Sequence, residues 1–207
     1  MKSNLWLLLF IFLLNSCVLE GLMRTWSTTE EYDKKFNSIL VMGLINNVNL
    51  RNEVENDVVY TGGKAGLRCV NGMSMFPPEL GKPFEDVERA KERMRNNGFD
   101  GVITVALVDV NAERYVPPQV DYEPLVYYNR FGNYFFRTYD LVYRPGYFAQ
   151  NTRYFIETNF YELKVGKLVW SGKSTTFSPA ELNSYLPQYS KGLFKELKIQ
   201  GIIQKLN

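Results

Sequence analysis

The sequence contains no histidine among its 207 residues and only two cysteines, Cys17 and Cys69. The missing histidine excludes Ser-His-Asp and Cys-His catalytic groups and any metal site that depends on an imidazole ligand. Paired carboxylates and Ser-Lys pairs stay compatible with this composition. The charges nearly balance, with 24 Lys and Arg against 22 Asp and Glu. The chain therefore lacks the excess of basic residues that nucleic acids require, and we expect no nucleic-acid partner.

Long hydrophobic runs are also absent, and a short one marks the start of the chain. It covers residues 5–14 and follows Lys2. A bilayer-spanning helix needs about 20 residues, so this run predicts a secretory signal instead. The next residues, Asn15-Ser16-Cys17, resemble the lipobox of bacterial lipoproteins, whose cysteine is lipidated and becomes the new first residue. We therefore expect a signal peptide over residues 1–16 and lipidation, including a palmitate-type chain, at Cys17.

Lipidation predicts how the protein is held in the cell. Two or more acyl chains anchor a protein stably without crossing the bilayer. Residues 17–34 are predicted to form the lipidated N-terminus and a tether, in which Trp26 either rests in the membrane interface or starts a packed edge strand. Because Val18-Leu19-Glu20 lacks an acidic cluster, we favour the periplasmic face, and we place the protein at the outer membrane. A thioether at Cys17 leaves Cys69 alone, and we expect Cys69 to be a small buried hydrophobe rather than a nucleophile or an intermolecular disulfide.

Apolar patterning predicts a β-α-β-α-β beginning for a single domain over residues 35–207. Residues 36–44 are apolar on both faces, which is typical of a central strand. A helix follows with Leu50, Val54 and Val58 on one side, and it is expected to stop at 62–63. Its Arg51 and Glu55 are predicted to pair on the outer side. A short strand at 65–70, a helix at 85–97 and a strand at 102–108 complete the unit.

The C-terminal part predicts a β-hairpin and a final helix. Residues 154–163 and 168–177 flank a tight turn at 164–167. Residues 178–181 read as a capping box with proline at the first helical position. Pro187 argues against one continuous helix, so the final helix is expected to begin at about that residue. The predicted fold class is α/β (α+β) with a mixed β-sheet.

An aromatic-rich insertion over about 111–152 separates these halves. Residues 125–128 and 134–143 are predicted to pair as a second hairpin. Two interpretations stand: an arm packed on its own sheet, or an exposed surface for a partner, since tyrosine and arginine are typical contact residues. The candidate contacts are Tyr127, Tyr128, Phe131, Tyr134, Phe135, Phe136 and Tyr139.

Carboxylates near predicted strand ends form no recognisable catalytic spacing, and we interpret them as solvated charges. They are Asp109, Glu113, Asp121, Glu157 and Glu162. The segment 60–66 lacks the first glycine and the Ser or Thr of a phosphate-binding loop. We therefore expect no catalytic residue, no metal and no cofactor.

Several segments together resemble a family of uncharacterised envelope lipoproteins from Gram-negative bacteria, built on a domain of unknown function. The resemblance lies in the lipobox and in the segments 39–44, 51–55, 99–102, 157–163 and 166–172, together with a tyrosine-rich insertion. It implies a mixed sheet with helices, similar to the amino-terminal domain of TolB and to lipoprotein activators of cell-wall synthases. It implies no catalytic residues, and it makes Arg51 and Glu55 a structural ion pair.

These observations predict a lipid-anchored periplasmic lipoprotein that acts as a non-catalytic binding or scaffolding module in the cell envelope. Its partners would be the membrane, through the lipid, and an envelope protein or glycan. One alternative is an enzyme that acts on envelope glycans through paired carboxylates. Another is a small-ligand carrier, which would need a sizeable apolar cavity.

Overall fold

A six-stranded mixed sheet organises the residues that the computed structural model describes, which are 22–28, 36–77, 86–109, 129–143 and 153–204. The strands are β1 Leu22–Ser27, β2 Ser38–Leu44, β3 Arg68–Asn71, β4 Gly101–Asp109, β5 Tyr154–Glu162 and β6 Lys167–Ser174. The helices are α1 Val48–Lys64, α2 Val87–Asn96, α3 Phe131–Val142 and α4 Leu182–Ile199, with short 3-10 turns at Gly72–Ser74 and Pro179–Glu181. Across the sheet the strand order is β1-β6-β5-β4-β2-β3.

The sheet has a parallel half and an antiparallel half. Strand β2 runs parallel to both β3 and β4, with α1 and α2 as the two connections. The pairs β4–β5, β5–β6 and β6–β1 are antiparallel. The predicted β-α-β-α-β beginning, the C-terminal hairpin and the mixed α/β class are confirmed.

Two hydrophobic cores lie on opposite faces of this sheet. Ile39 and Val41 of β2 belong to the first core, which α1 and α4 cover. Leu40 and Met42 belong to the second core, which α2 and α3 cover. All four side chains are buried because helices cover both faces, which explains why the β2 sequence is apolar throughout rather than alternating.

Strand β1 lies inside the segment that was predicted to be a tether. It pairs antiparallel with β6, and Trp26 packs against the second core. On the other face, Thr25 Oγ1 donates a hydrogen bond to Glu196 Oε1 of α4 over 3.2 Å. The tether prediction is therefore wrong for residues 22–27, and Trp26 lies in a packed edge strand, the alternative given for it. The open edge of β6 supplies the backbone partners that this strand needs.

Helix α3 replaces the predicted second hairpin. Residues 134–143 lie in or next to the helix, and residues 125–128 fall outside the described part of the chain. The buried residues recur at helical spacing. They are Phe131, Tyr134, Phe135, Thr138 and Val142. This burial overrides the preference of Phe and Tyr for strands.

Helix α4 continues through Pro187, where a break was predicted. It begins at Leu182, directly after the predicted capping box, in which Ser178 N donates to Glu181 Oε2 over 2.7 Å. Pro187 is exposed and lies in the second turn, so it removes one backbone donor without burying an unpaired group. Leu186 and Tyr189 on either side are buried in the first core and hold the helix together.

Helix α1 also extends past its predicted end, because Gly62 serves packing rather than termination. The helix runs to Lys64, and Gly66 has the positive φ of 86° that turns the chain out of it. A Cβ at Gly62 would collide with Cys69 Sγ and would lie 2.7 Å from Phe194 Cζ. A Cβ at Gly63 would meet no atom within 4 Å.

This difference makes a matched pair of variants. We expect Gly62→Ala to lower the free energy of unfolding by about 1–3 kcal/mol through overpacking. Gly63→Ala should raise it by up to about 1 kcal/mol, because alanine is the better helix former at an open position. Urea denaturation of both variants measures the two values. Equal stabilities would contradict the close packing of α1 against α4.

Candidate functional site

The structure describes five of the seven predicted contact residues and places them in three different environments. The other two, Tyr127 and Tyr128, lie outside the described residues, as does the predicted lipidation site Cys17. Of the five described, only Phe136 is well exposed, at 45%, and Tyr139 is partly buried. The remaining three are fully buried and cannot form an exposed surface: Phe131, Tyr134 and Phe135. The contact prediction therefore needs correction for these three residues.

The buried aromatics attach α3 to the sheet. The ring centroid of Phe131 lies 5.7 Å from that of Tyr161 on β5, and that of Tyr134 lies 6.1 Å from it. Burial raises the pKa of the Tyr134 phenol well above its ordinary value, and the neighbouring Glu157 adds to this effect. The phenol is therefore neutral at physiological pH and belongs to the core.

The opposite side of α3 faces outward. Asn133, Phe136 and Arg137 are exposed there. Next to them Tyr139 stacks on Tyr143, with ring centroids 4.1 Å apart. A large exposed aromatic beside a guanidinium is typical of residues that contribute most to protein interfaces. We call Asn133, Phe136 and Arg137 the α3 outer face.

Glu157, one of the carboxylates predicted to be solvated, is buried. It is 1% exposed, and its Oε2 lies 2.8 Å from Lys173 Nζ. Glu162, at the end of the same strand, accepts a hydrogen bond from Val165 N over 3.2 Å and so closes the β5–β6 turn. These two carboxylates hold the hairpin, and neither is a free acid in a cleft. Glu113 and Asp121 lie outside the described residues.

The predicted Arg51–Glu55 pair forms, but inside the protein rather than on the outer side of α1. Arg51 Nε donates to Glu55 Oε1 over 2.7 Å, and the two residues are 6% and 0% exposed. The same Oε1 accepts from Gly43 N of β2 over 2.7 Å, and Oε2 accepts from Met73 N over 2.8 Å. Arg51 Nη2 also donates to the Phe76 carbonyl over 3.2 Å. The pair thus ties α1 to β2 and to the segment after β3.

Gly43 is the feature that permits this arrangement. A Cβ at Gly43 would lie 2.9 Å from Arg51 Cγ and 3.2 Å from Glu55 Oε1. The i, i+4 spacing of Arg51 and Glu55 indicated the pair, whereas their burial depends on this close backbone approach. Burial also raises the pKa of Tyr143, which lies beside Arg51, although the guanidinium acts against that shift.

Cys69 has the environment of a structural residue. Its side chain is partly buried against the first core, and desolvation raises the pKa of the thiol to about 12. The reactive thiolate is therefore scarce at neutral pH. Cys69 is a free cysteine in the described structure, which also contains no cluster of three or more potential metal ligands.

A groove between α1 and α4 is the surface feature that the sequence reasoning missed. It is open, encloses about 500 Å³, and combines lysines with an apolar floor. The spacing of three of these lysines along α4 was its one sequence signal. The lining residues are Thr61, Lys64, Ala65, Lys191, Phe194, Lys195, Lys198 and Ile199.

Comparisons with known proteins give limited similarity. No protein-family model matches the chain, and no curated protein matches it either. Among solved structures, a variant PelC dodecamer from Paraburkholderia phytofirmans is 13% identical with a TM-score of 0.45, covering 84% of this chain and 96% of that one. A second PelC dodecamer from that organism is 12% identical with a TM-score of 0.42, covering 84% and 97%.

A lipoprotein, GNA1162 from Neisseria meningitidis, is 15% identical with a TM-score of 0.38, covering 82% of this chain and 99% of that one. All three TM-scores lie below 0.5, so these neighbours carry no inference about what this chain binds. None of the helices in the described residues combines the length and the hydropathy needed to span a bilayer.

The buried pair yields a stability prediction. Glu55→Gln removes the carboxylate charge and leaves the Arg51 guanidinium buried without its counter-charge, so we expect the free energy of unfolding to fall by about 3–5 kcal/mol. Glu53→Gln, on the exposed side of the same helix, should change it by less than about 0.5 kcal/mol. Chemical denaturation of both variants tests this expectation. A Glu55→Gln protein as stable as the control would show that the pair is dispensable.

Proposed function

We propose that the protein is a lipid-anchored binding module of the bacterial cell envelope, held at the periplasmic face of the outer membrane. The observation that carries the proposal is the apolar run over residues 5–14, which is followed by Asn15-Ser16-Cys17. Strand β1 begins at Leu22, and the chain between Cys17 and Leu22 can extend at most about 18 Å. Such a short connection would keep the domain directly at the lipid surface.

The α3 outer face supplies the contact surface in this proposal. Phe136 remains 45% exposed, whereas Phe131, Tyr134 and Phe135 are buried, so its ring contributes less to the core than theirs. Tyr127 and Tyr128 precede this helix in the sequence and stay predicted contacts. The partner would be an envelope protein or glycan that presents groups suited to an aromatic ring and a guanidinium.

A binding role fits Glu157 and Glu162 better than hydrolysis does. A glycosidase needs two carboxyl groups flanking the bond that it cleaves. Glu157 is committed to Lys173, and Glu162 to the β5–β6 turn. These contacts support a non-catalytic module. The confinement to one membrane would raise the effective concentration of the protein near its partner.

Lipid attachment gives the first test of the proposal. In cells supplied with radiolabelled palmitate, we expect the label on the wild-type protein and none on Cys17→Ala. Cys69→Ala should keep the label, because that thiol is buried with a raised pKa. Immunoprecipitation followed by autoradiography measures this. An unlabelled wild-type protein would refute the anchor.

The contact surface gives the second test. A photo-crosslinking amino acid at position 136 should trap a partner in living cells, whereas the same group at position 60 should not. Tyr60 is the matched control because it is 63% exposed but lies on α1, on the other face of the sheet. The Phe136→Ala variant should no longer co-purify with the partner that the crosslinker identifies. Its free energy of unfolding should change by about 0.5 kcal/mol or less. Identical crosslinks from both positions would argue against the α3 outer face.

A further inference from the structure

The lysines of the α1–α4 groove form a single cationic stripe. Lys191, Lys195 and Lys198 follow each other at i, i+4 and i+7 on α4, a spacing that places them on one side of the helix. Lys64, in the last turn of α1, lines the same groove from the other wall. The packing of α1 against α4 therefore brings four positive charges from two distant segments together.

Among the described residues, no carboxylate neutralises the charge of this stripe. Within the described ranges, Lys191, Lys195 and Lys198 form no ion pair, and the Lys64 ammonium lies 4.3 Å from the centroid of the Tyr60 ring. Glu196 of α4 is directed to the other side of the helix, where it accepts a hydrogen bond from Thr25 of β1. The helix dipole favours cations in the last turn only, so it does not account for Lys191.

Apolar groups accompany these charges. Phe194, which is buried, forms part of the groove floor, and Ile199 at the end of α4 is 56% exposed. A cationic surface with apolar side chains among its lysines is typical of protein segments that lie in the interface of anionic membranes. Lysine side chains suit this position because their long stems can follow apolar material while the ammonium stays among headgroups.

The position of β1 favours a membrane over a soluble polyanion as the occupant. Strand β1 runs beside the last turns of α4, where Thr25 contacts Glu196 and Ser27 Oγ donates to Gln200 Oε1 over 3.1 Å. Cys17 lies at most about 18 Å of chain before Leu22, and a helix is about 10 Å wide. Acyl chains on Cys17 would therefore enter the bilayer close to the helix that carries the lysines.

We propose that the lysine stripe and Ile199 form a docking surface for anionic phospholipid headgroups, which fixes the orientation of the domain on the membrane. This inference rests on the proposed lipid anchor at Cys17. Each lysine close to an anionic surface strengthens association about fivefold, and the effect falls with added salt. The α1–α4 layer would then face the lipid.

The test uses the full lipidated protein, extracted from membranes and reconstituted into two kinds of vesicle. One is phosphatidylcholine alone, and the other contains equal parts of phosphatidylcholine and phosphatidylglycerol. A membrane-impermeant acetylating reagent and mass spectrometry then give the modification rate of each lysine. On the anionic vesicles we expect Lys191 and Lys195 to react at least about fivefold more slowly than on the neutral ones. Lys164, exposed at the β5–β6 turn, should not change.

A charge-matched pair of variants separates docking from net charge. Lys191→Gln with Lys195→Gln should abolish the protection of Lys198 on anionic vesicles. Arg89→Gln with Lys164→Gln removes two exposed positive charges elsewhere and should preserve it. Loss of protection in both double variants would overturn the proposal, because the effect would then follow net charge alone.

The remaining outcomes distinguish this proposal from the anchor itself. Missing palmitate on Cys17 would refute the proposed anchoring. Palmitate present, with equal lysine rates on the two vesicles, would overturn the docking surface and leave the anchor standing. Protection of the stripe by dextran sulfate in solution but not by anionic vesicles would assign the groove to a soluble polyanion and also overturn the proposal.

Discussion

The buried carboxylate of Glu55 is the interaction on which the parallel half of the sheet depends. It joins a helix, a central strand and the segment after a neighbouring strand through the backbone N–H groups of Gly43 and Met73 and the guanidinium of Arg51. A buried charge is tolerated only when it is paired and hydrogen-bonded. The pair lies near the carboxyl ends of parallel strands, where open α/β sheets commonly bind ligands. In this protein the side chains of Arg51 and Glu55 fill that position, and the two contact surfaces that we propose lie elsewhere, on the outside of the helical layers.

Two such surfaces lie on opposite layers. The α3 outer face belongs to the layer that covers the second core, and the lysine stripe belongs to the layer that covers the first. With the sheet between them, contact at one surface does not obstruct the other. If the stripe meets lipid, Phe136 is directed away from the bilayer, where a partner in the periplasm can reach it. The three-layer architecture thereby makes the two proposed contacts compatible with each other in one molecule.

Local patterns predicted the elements whose cause is local. The continuous apolar run predicted β2, and the glycine turn predicted the hairpin. The capping box at 178–181 was also predicted, but the final helix begins directly after it at Leu182 and not at Pro187. The misses depend on distant residues. Strand β1 needs the edge of β6, and α3 needs the aromatic side chains of β5 beneath it. The burial of Arg51 and Glu55 needs Gly43, and the lysine stripe needs two helices that meet only in the folded protein.

The pairing of β1 with β6 has a consequence for biosynthesis. Trp26 finds its partner at Ser171, near the other end of the chain. During synthesis, β2, α1 and β3 can form early, whereas β1 can pair only after β6, near the end of the chain, has been made. Closing such a long loop is slow compared with local pairing. We therefore expect β1 to join the sheet after its other strands have formed, and a product truncated before β6 would leave β1 without a pairing partner and one edge of β5 unpaired.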